Sequence, residues 1–171
     1  DSWNGIIIIL NLKKQSFILL LFITGLTLSC KKENPVTPLD LSSGDYFIFG
    51  DYAGFCSGNC ARFFILKDKQ IYGDLNDYFY SPDSLKFNSS PLEASNYNTA
   101  ASLLTDFPTY LDNHKNETFG CPDCTVGGAV YIILKQDGII SHWNVDNFIQ
   151  NQPEEIRDYI ARMHTVIADL Q

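Results

Sequence analysis

Residues 129–145 read AVYIILKQDGIISHWNV: two β-rich runs on either side of Asp137-Gly138. An Asp-Gly pair between such runs is a strong hairpin signal, because a type I′ turn needs positive φ at both central residues. The run 129–135 reads as a strand. In the return strand 139–145, the neighbours His142 and Trp143 must point to opposite faces. Beyond it, Ile156, Tyr159, Ile160, Met163, Val166, Ile167 and Leu170 recur at spacings of three and one. That is one face of a helix, with Pro153 in its first turn and Glu154 and Glu155 at the positive end of its dipole. Such a stripe must cover the sheet.

The same order of signals occurs earlier in the chain. Residues 62–67 and 70–73 form a second hairpin around Asp68-Lys69. At an offset of 68 residues Cys56 aligns with Cys124, Ile65-Leu66-Lys67 with Ile133-Leu134-Lys135, and Ile71 with Ile139. Each half runs cysteines, hairpin, helix, an echo that buried strands can also produce by drawing on few residue types. The first helix is expected over 94–106, with Ala101, Leu103, Leu104 and Phe107 on its apolar side. Pro108 and the Tyr110-Leu111 pair end it or begin a short extra turn. Residues 46–49 form a further strand, and 74–90 a long loop. The expected fold is α+β: an antiparallel sheet of two hairpins plus an edge strand, packed by a middle helix and a long C-terminal helix.

The chain has 171 residues, with 12 Phe and 9 Tyr against a single Met, which suits a strand-rich core. Its net charge of −8, with no basic stretch longer than the pairs Lys13-Lys14 and Lys31-Lys32, argues against nucleic acid as a partner, because phosphate neutralisation needs clustered cations. No G-x-S-x-G, P-loop or H-E-x-x-H motif occurs, so the common hydrolase and nucleotide chemistries have no support.

Chemistry concentrates in the cysteines. Four of them, Cys56, Cys60, Cys121 and Cys124, stand in C-x3-C and C-x2-C pairs, each just before a hairpin. This places all four at one end of the sheet. Three readings are open. The first is structural disulfides, with three possible pairings. The second is a tetrahedral zinc site of four thiolates from two turns. The third is thiol–disulfide redox chemistry at Cys121 and Cys124, which requires a lowered thiol pKa. None of His114, His142 and His164 lies at ligand spacing from a cysteine pair. Asp74, Asn76, Asp77 and Asp83 can gather calcium but lack an EF-hand's spacing and closing Glu, so an acidic solvated loop is the simpler reading. Tyr78, Phe79, Tyr80 and Trp143 can line a sugar platform or be half-buried sheet aromatics.

The N-terminus reads as a processing signal. Residues 1–11 look like translated upstream sequence. Lys13 and Lys14 precede the 12-residue apolar run FILLLFITGLTL over 17–28, followed by Ser29-Cys30. A stretch of that length is a secretory h-region rather than a bilayer span. Leu26-Thr27-Leu28-Ser29-Cys30 resembles a bacterial lipobox, with Leu one residue farther from the Cys than usual. The resemblance implies a signal peptide over 12–29, a diacylated Cys30 that anchors the chain to the membrane, and a Pro-containing tether over 30–44. The globular domain then occupies 45–171.

Gly54-Phe55-Cys56-x3-Cys60, Asp106-Phe107-Pro108-x-Tyr110-Leu111 and Thr118-Phe119-Gly120-Cys121-Pro122-Asp123-Cys124, together with Gly127-Gly128 and the Pro153-x2-Ile156 helix start, resemble a group of small uncharacterised lipoproteins of the Bacteroidota. The resemblance spans most of 45–170 and implies an envelope lipoprotein of a Gram-negative bacterium. Lys31-Lys32 departs from the acidic residues that favour surface display in that group, which implies the periplasmic face of the outer membrane. The group supplies no activity. The functional expectation is a non-enzymatic binding or interaction module with structural disulfides and no cofactor; the alternatives are the four-Cys zinc module and the Cys121/Cys124 redox factor.

Overall fold

The computed structural model describes residues 34–124 and 127–171, so the expected upstream stretch, signal peptide and Cys30 lie outside the described residues. In chain order the strands are β1 (Val36–Thr37), β2 (Tyr46–Tyr52), β3 (Ala61–Lys67), β4 (Gln70–Gly73), β5 (Phe107–Pro108), β6 (Glu117–Phe119), β7 (Ala129–Gln136) and β8 (Ile139–Asp146). The α-helices are α1 (Ala94–Thr105), α2 (Thr109–Asn113) and α3 (Arg157–Asp169). Among the described residues no helix is long and apolar enough to cross a membrane.

The main sheet has six strands in the order β4-β3-β2-β7-β8-β6. Both expected hairpins form, and β2 joins them by pairing antiparallel with β3 on one side and β7 on the other. The fold is therefore α+β, as expected, with two differences: the strand at 46–49, expected at an edge, is the central β2 flanked by both hairpins, and β6 runs parallel to β8, so the sheet is mixed at that edge. A second small pairing, β1 with β5, takes the chain from Val36 onto the body of the fold. Leu39 N–H donates to Leu104 O at 2.8 Å, and Leu39 and Leu41 pack on the core. Much of the stretch read as a tether is thus docked.

Strand alternation divides the apolar side chains between two faces. Phe47, Phe49, Phe64, Leu66, Ile71, Val130, Ile132, Leu134, Trp143 and Val145 face the helices. There they meet Leu103 of α1, Leu111 of α2, and Ile160, Met163 and Ile167 of α3. Removing one such fully buried Phe costs about 3–5 kcal/mol. The α3 stripe is the one read from sequence, although a 3-10 turn over Glu154–Ile156 precedes the helix proper. On the other face, Ile48, Phe63, Ile65, Tyr131 and Ile133 form a smaller cluster. Phe79, Leu85 and Phe87 from the loop after β4 pack against it.

The two ends of the sheet are closed differently. At one end the β3–β4 and β7–β8 turns are tight, and Asp137 (φ 53°) and Gly138 (φ 80°) take the positive φ values that a type I′ turn needs. Asp45 caps this end, its carboxylate accepting the Ser42 hydroxyl at 2.6 Å and Asp137 N–H at 3.0 Å. At the opposite end, β2, β4 and β8 finish and β3 and β7 begin, and long loops must be held together.

Candidate functional site

Both cysteine pairs lie at this second end, and each closes locally. Cys56 is bonded to Cys60 (Cα–Cα 5.7 Å) and Cys121 to Cys124 (Cα–Cα 5.4 Å). Of the three possible pairings, the local one is present. The two cysteine loops meet, as the sequence placed them: Gly54 N–H donates to Asp123 Oδ1 at 3.0 Å. An added Cβ at position 54 would meet the Asp123 carboxylate, so a larger residue there displaces that side chain.

Asp146, the last residue of β8, is the hub of the arrangement. It is 1% exposed. Its carboxylate accepts Phe148 N–H at 2.8 Å, Asn151 Nδ2–H at 2.7 Å and Cys121 N–H at 3.0 Å. Its backbone oxygen accepts Gln152 Nε2–H at 2.7 Å. Burial acting alone would raise the pKa of this carboxyl, but the hydrogen bonds from Phe148, Asn151 and Cys121 outweigh it and hold the group below its ordinary value. A buried carboxylate so placed joins the loop after β8 to the second cysteine loop. The first cysteine loop is tied to the loop after β4, through Cys60 N–H to Asp77 O at 2.7 Å. Four loops, 53–60, 74–80, 120–124 and 147–151, two of them closed by a local disulfide, are therefore linked by hydrogen bonds at one end of the sheet.

Solvent-facing apolar side chains gather on these loops. Of the nine exposed large hydrophobic residues among those described, six are here: Phe55, Leu75, Tyr78, Tyr80, Phe148 and Ile149. Phe55 is 77% and Tyr80 is 82% exposed. Beside the Cys56–Cys60 bridge is an open depression of about 470 Å³, lined by Asp51, Tyr52, Asn59, Arg62, Asn147 and Gln171. In its floor Asp51 is bound by Arg62, whose Nε donates to Oδ1 at 2.7 Å, and lies 3.7 Å from His164 Nδ1. Burial would raise the Asp51 pKa, but the nearby His164 ring and the hydrogen bonds from Arg62 prevail and keep it below the ordinary carboxylate value.

The surroundings of Cys121 bear on the redox reading. A reactive thiol needs a cation or a helix N-terminus beside it. Here the Asp146 carboxylate sits at the Cys121 N–H, and no helix starts at either cysteine. A negative charge in that position disfavours a thiolate. All four sulfurs are bonded to one another, and no group of three or more His, Cys, Asp and Glu able to hold a metal ion occurs among the described residues.

The weaker sequence candidates fall out as follows. Asp74, Asn76, Asp77 and Asp83 are not gathered into a cation cage: Asn76 Nδ2–H donates to Ser84 O at 2.7 Å, and Asp74 forms a β-bridge with Phe87. Burial raises the Asp74 carboxyl to about 6. The aromatic platform does not assemble. Trp143 is fully buried on the helix side, its Nε1–H shared between Leu111 O (3.0 Å) and His114 O (2.8 Å). Phe79 turns inward among Tyr52, Phe63 and Tyr131, leaving Tyr78 and Tyr80 outside. His142 lies on the opposite face from Trp143, exposed and stacked on Tyr131 at 6.1 Å. His114 Nδ1 sits 2.8 Å from Tyr110 O.

Asp51, Asp123 and Asp146 were not singled out from sequence. Asp146 did carry a signal, since an Asp that closes a strand and bonds the N–H two residues on is an Asx-turn former. The chain matches no protein-family model, no curated protein and no solved structure.

Proposed function

We propose that this chain is a non-enzymatic binding module of a bacterial cell envelope, and that the disulfide-clamped end of its sheet is the contact surface. The observation that carries the reading is the concentration of exposed aromatic and aliphatic side chains on four interlinked loops. Exposed apolar surface is costly to display, and where it gathers it marks an interaction site. Loops already tied by disulfides and by Asp146 lose little conformational freedom on binding, so more of the contact energy appears as affinity. The lipobox-like Ser29-Cys30 and the resemblance to Bacteroidota lipoproteins extend the reading to a lipid anchor at Cys30 and the periplasmic face of the outer membrane.

The test is site-specific photo-crosslinking in the native envelope. A photoreactive residue at position 55 or 80 is expected to give a discrete adduct, while the same group at Ile139, exposed at the other end, gives none. Equal labelling from both ends would refute the assignment of the surface. For the anchor, Cys30→Ser is expected to shift the protein from the membrane to the soluble fraction; retention in the membrane would refute lipidation at that residue.

A further inference from the structure

We propose that the disulfide-clamped end docks a cationic polypeptide segment, one that presents lysine or arginine side chains among apolar ones. This rests on the reading of that end as the contact surface and names the chemistry of its partner. Two features of the same loops point the same way. The first is the exposed rings of Phe55, Tyr78, Tyr80 and Phe148, whose π faces attract an ammonium or guanidinium group placed over them. The second is charge. Across residues 53–60, 74–87, 120–124 and 147–151 the acidic side chains are Asp74, Asp77, Asp83 and Asp123, against the single cation Lys86. The nearby Arg62 guanidinium is held by Asp51.

The opposite end is of mixed charge, with Asp45, Asp68 and Asp137 beside its lysines. Lys67, Lys69 and Lys135 stand at or beside the tight turns, with Lys67 over the Tyr72 ring at 4.9 Å and Lys135 over the Tyr46 ring at 5.7 Å. The surplus of carboxylates over cations is therefore larger at the aromatic loops than at the tight turns. An approaching basic segment is attracted by the carboxylates and then held by ring faces and apolar contact. An acidic segment of equal hydrophobicity is repelled. Attraction between exposed charges weakens with salt, so affinity should fall as ionic strength rises.

The experiment uses the oxidised protein and three fluorescent 12-residue peptides that share the same apolar positions and carry Lys, Ser or Glu at the remaining ones. Fluorescence anisotropy at low salt is expected to show the Lys peptide binding at least tenfold more tightly than the Ser peptide, with the Glu peptide weaker still. The Phe55→Ser/Tyr80→Ser variant, altered only at exposed side chains, should lose at least tenfold in affinity with an unchanged circular dichroism spectrum. Ile139→Ser/Ile140→Ser should bind as the parent does. Lys-peptide binding that is indifferent to Phe55 and Tyr80 overturns the proposal, because net charge elsewhere is then responsible. So does the absence of Lys-peptide binding. Binding that depends on Phe55 and Tyr80 but is equal for all three peptides keeps the contact surface and removes the cationic partner. A salt-sensitive self-association of the chain, lost in both Phe55→Ser/Tyr80→Ser and Lys69→Glu, replaces the partner with a second copy and overturns the proposal as stated.

Discussion

The two ends of the sheet solve the same closure problem by different means. At the Asp137-Gly138 end, two-residue turns leave no slack, and strand geometry with the right turn residues suffices. At the other end the chain leaves the sheet for loops of eight residues and more, whose closure needs two disulfides and buried carboxylate hydrogen bonds. The tight end exposes Ile139 and Ile140, whereas the clamped end exposes six large apolar side chains. Covalent and carboxylate ties therefore appear where the backbone is least self-supporting, and that is also where the exposed apolar side chains gather. A rigid loop end is worth stabilising when its shape matters to a partner.

The sharpest way to break this comparison is Asp146→Ala. It strips three acceptor bonds from loop donors and should cost about 3–5 kcal/mol, since hydrogen bonds to a buried charged group are worth about 1.5–3 kcal/mol each and do not add fully. In a thermal melt that is a fall of roughly 10 °C. Next come the disulfides. Replacing either pair by serine should cost about 2 kcal/mol, because each closes a loop of only a few residues. The double replacement should deviate from the sum, because the Gly54–Asp123 contact couples the two loops. Urea unfolding of the four variants measures both effects.

Gly138→Ala at the tight end should cost about 1 kcal/mol, because φ 80° is a left-handed conformation in which an alanine is strained. It should leave crosslinking from position 55 unchanged, since stability at one end and contact at the other are separate.

The smallest effect concerns pH. Asp74 has a folded-state pKa of about 6, above the ordinary carboxylate value, and its Oδ2 is buried without a hydrogen-bond partner. The native state therefore holds a proton that the unfolded chain releases near pH 4, and stability falls as pH rises from about 4 to 6. Asp74→Asn should be more stable than the parent at pH 7.5 and show no gain at pH 4. Asp51 has the opposite sign: its depressed pKa contributes stability above about pH 4 that is lost on further acidification. Urea titrations at pH 7.5, at pH 4 and at a more acidic pH separate the two, Asp74 acting between the first pair and Asp51 between the second.

Much of the fold was legible because period and turn chemistry agree: Asp137-Gly138 between apolar runs, and the α3 stripe from Ile156 to Leu170. The parallel β6 was not, since three residues have no period and nothing local reveals a partner strand. The β1–β5 pairing was hidden for the same reason, and Pro35 and Pro38 beside it made a docked segment look like a free tether. In the site, the cysteines and their common end of the sheet were readable from their positions before two hairpins. Their pairing was not, because four cysteines allow three connectivities. The aromatic platform failed on alternation: Trp143 belongs to the helix-facing register of β8, so it cannot join Tyr78 and Tyr80 outside.

The central claim is that two local disulfides clamp one end of the sheet. It is tested most directly by non-reduced peptide mapping of the protein isolated without reductant, with cleavage at Arg62 and Lys67 separating the two cysteine pairs. The account predicts two distinct peptides, one holding Cys56 and Cys60 and one holding Cys121 and Cys124, each two hydrogens lighter than its reduced form. A covalent link between the two peptides, or four free thiols that carry a zinc ion only under native conditions, would contradict it.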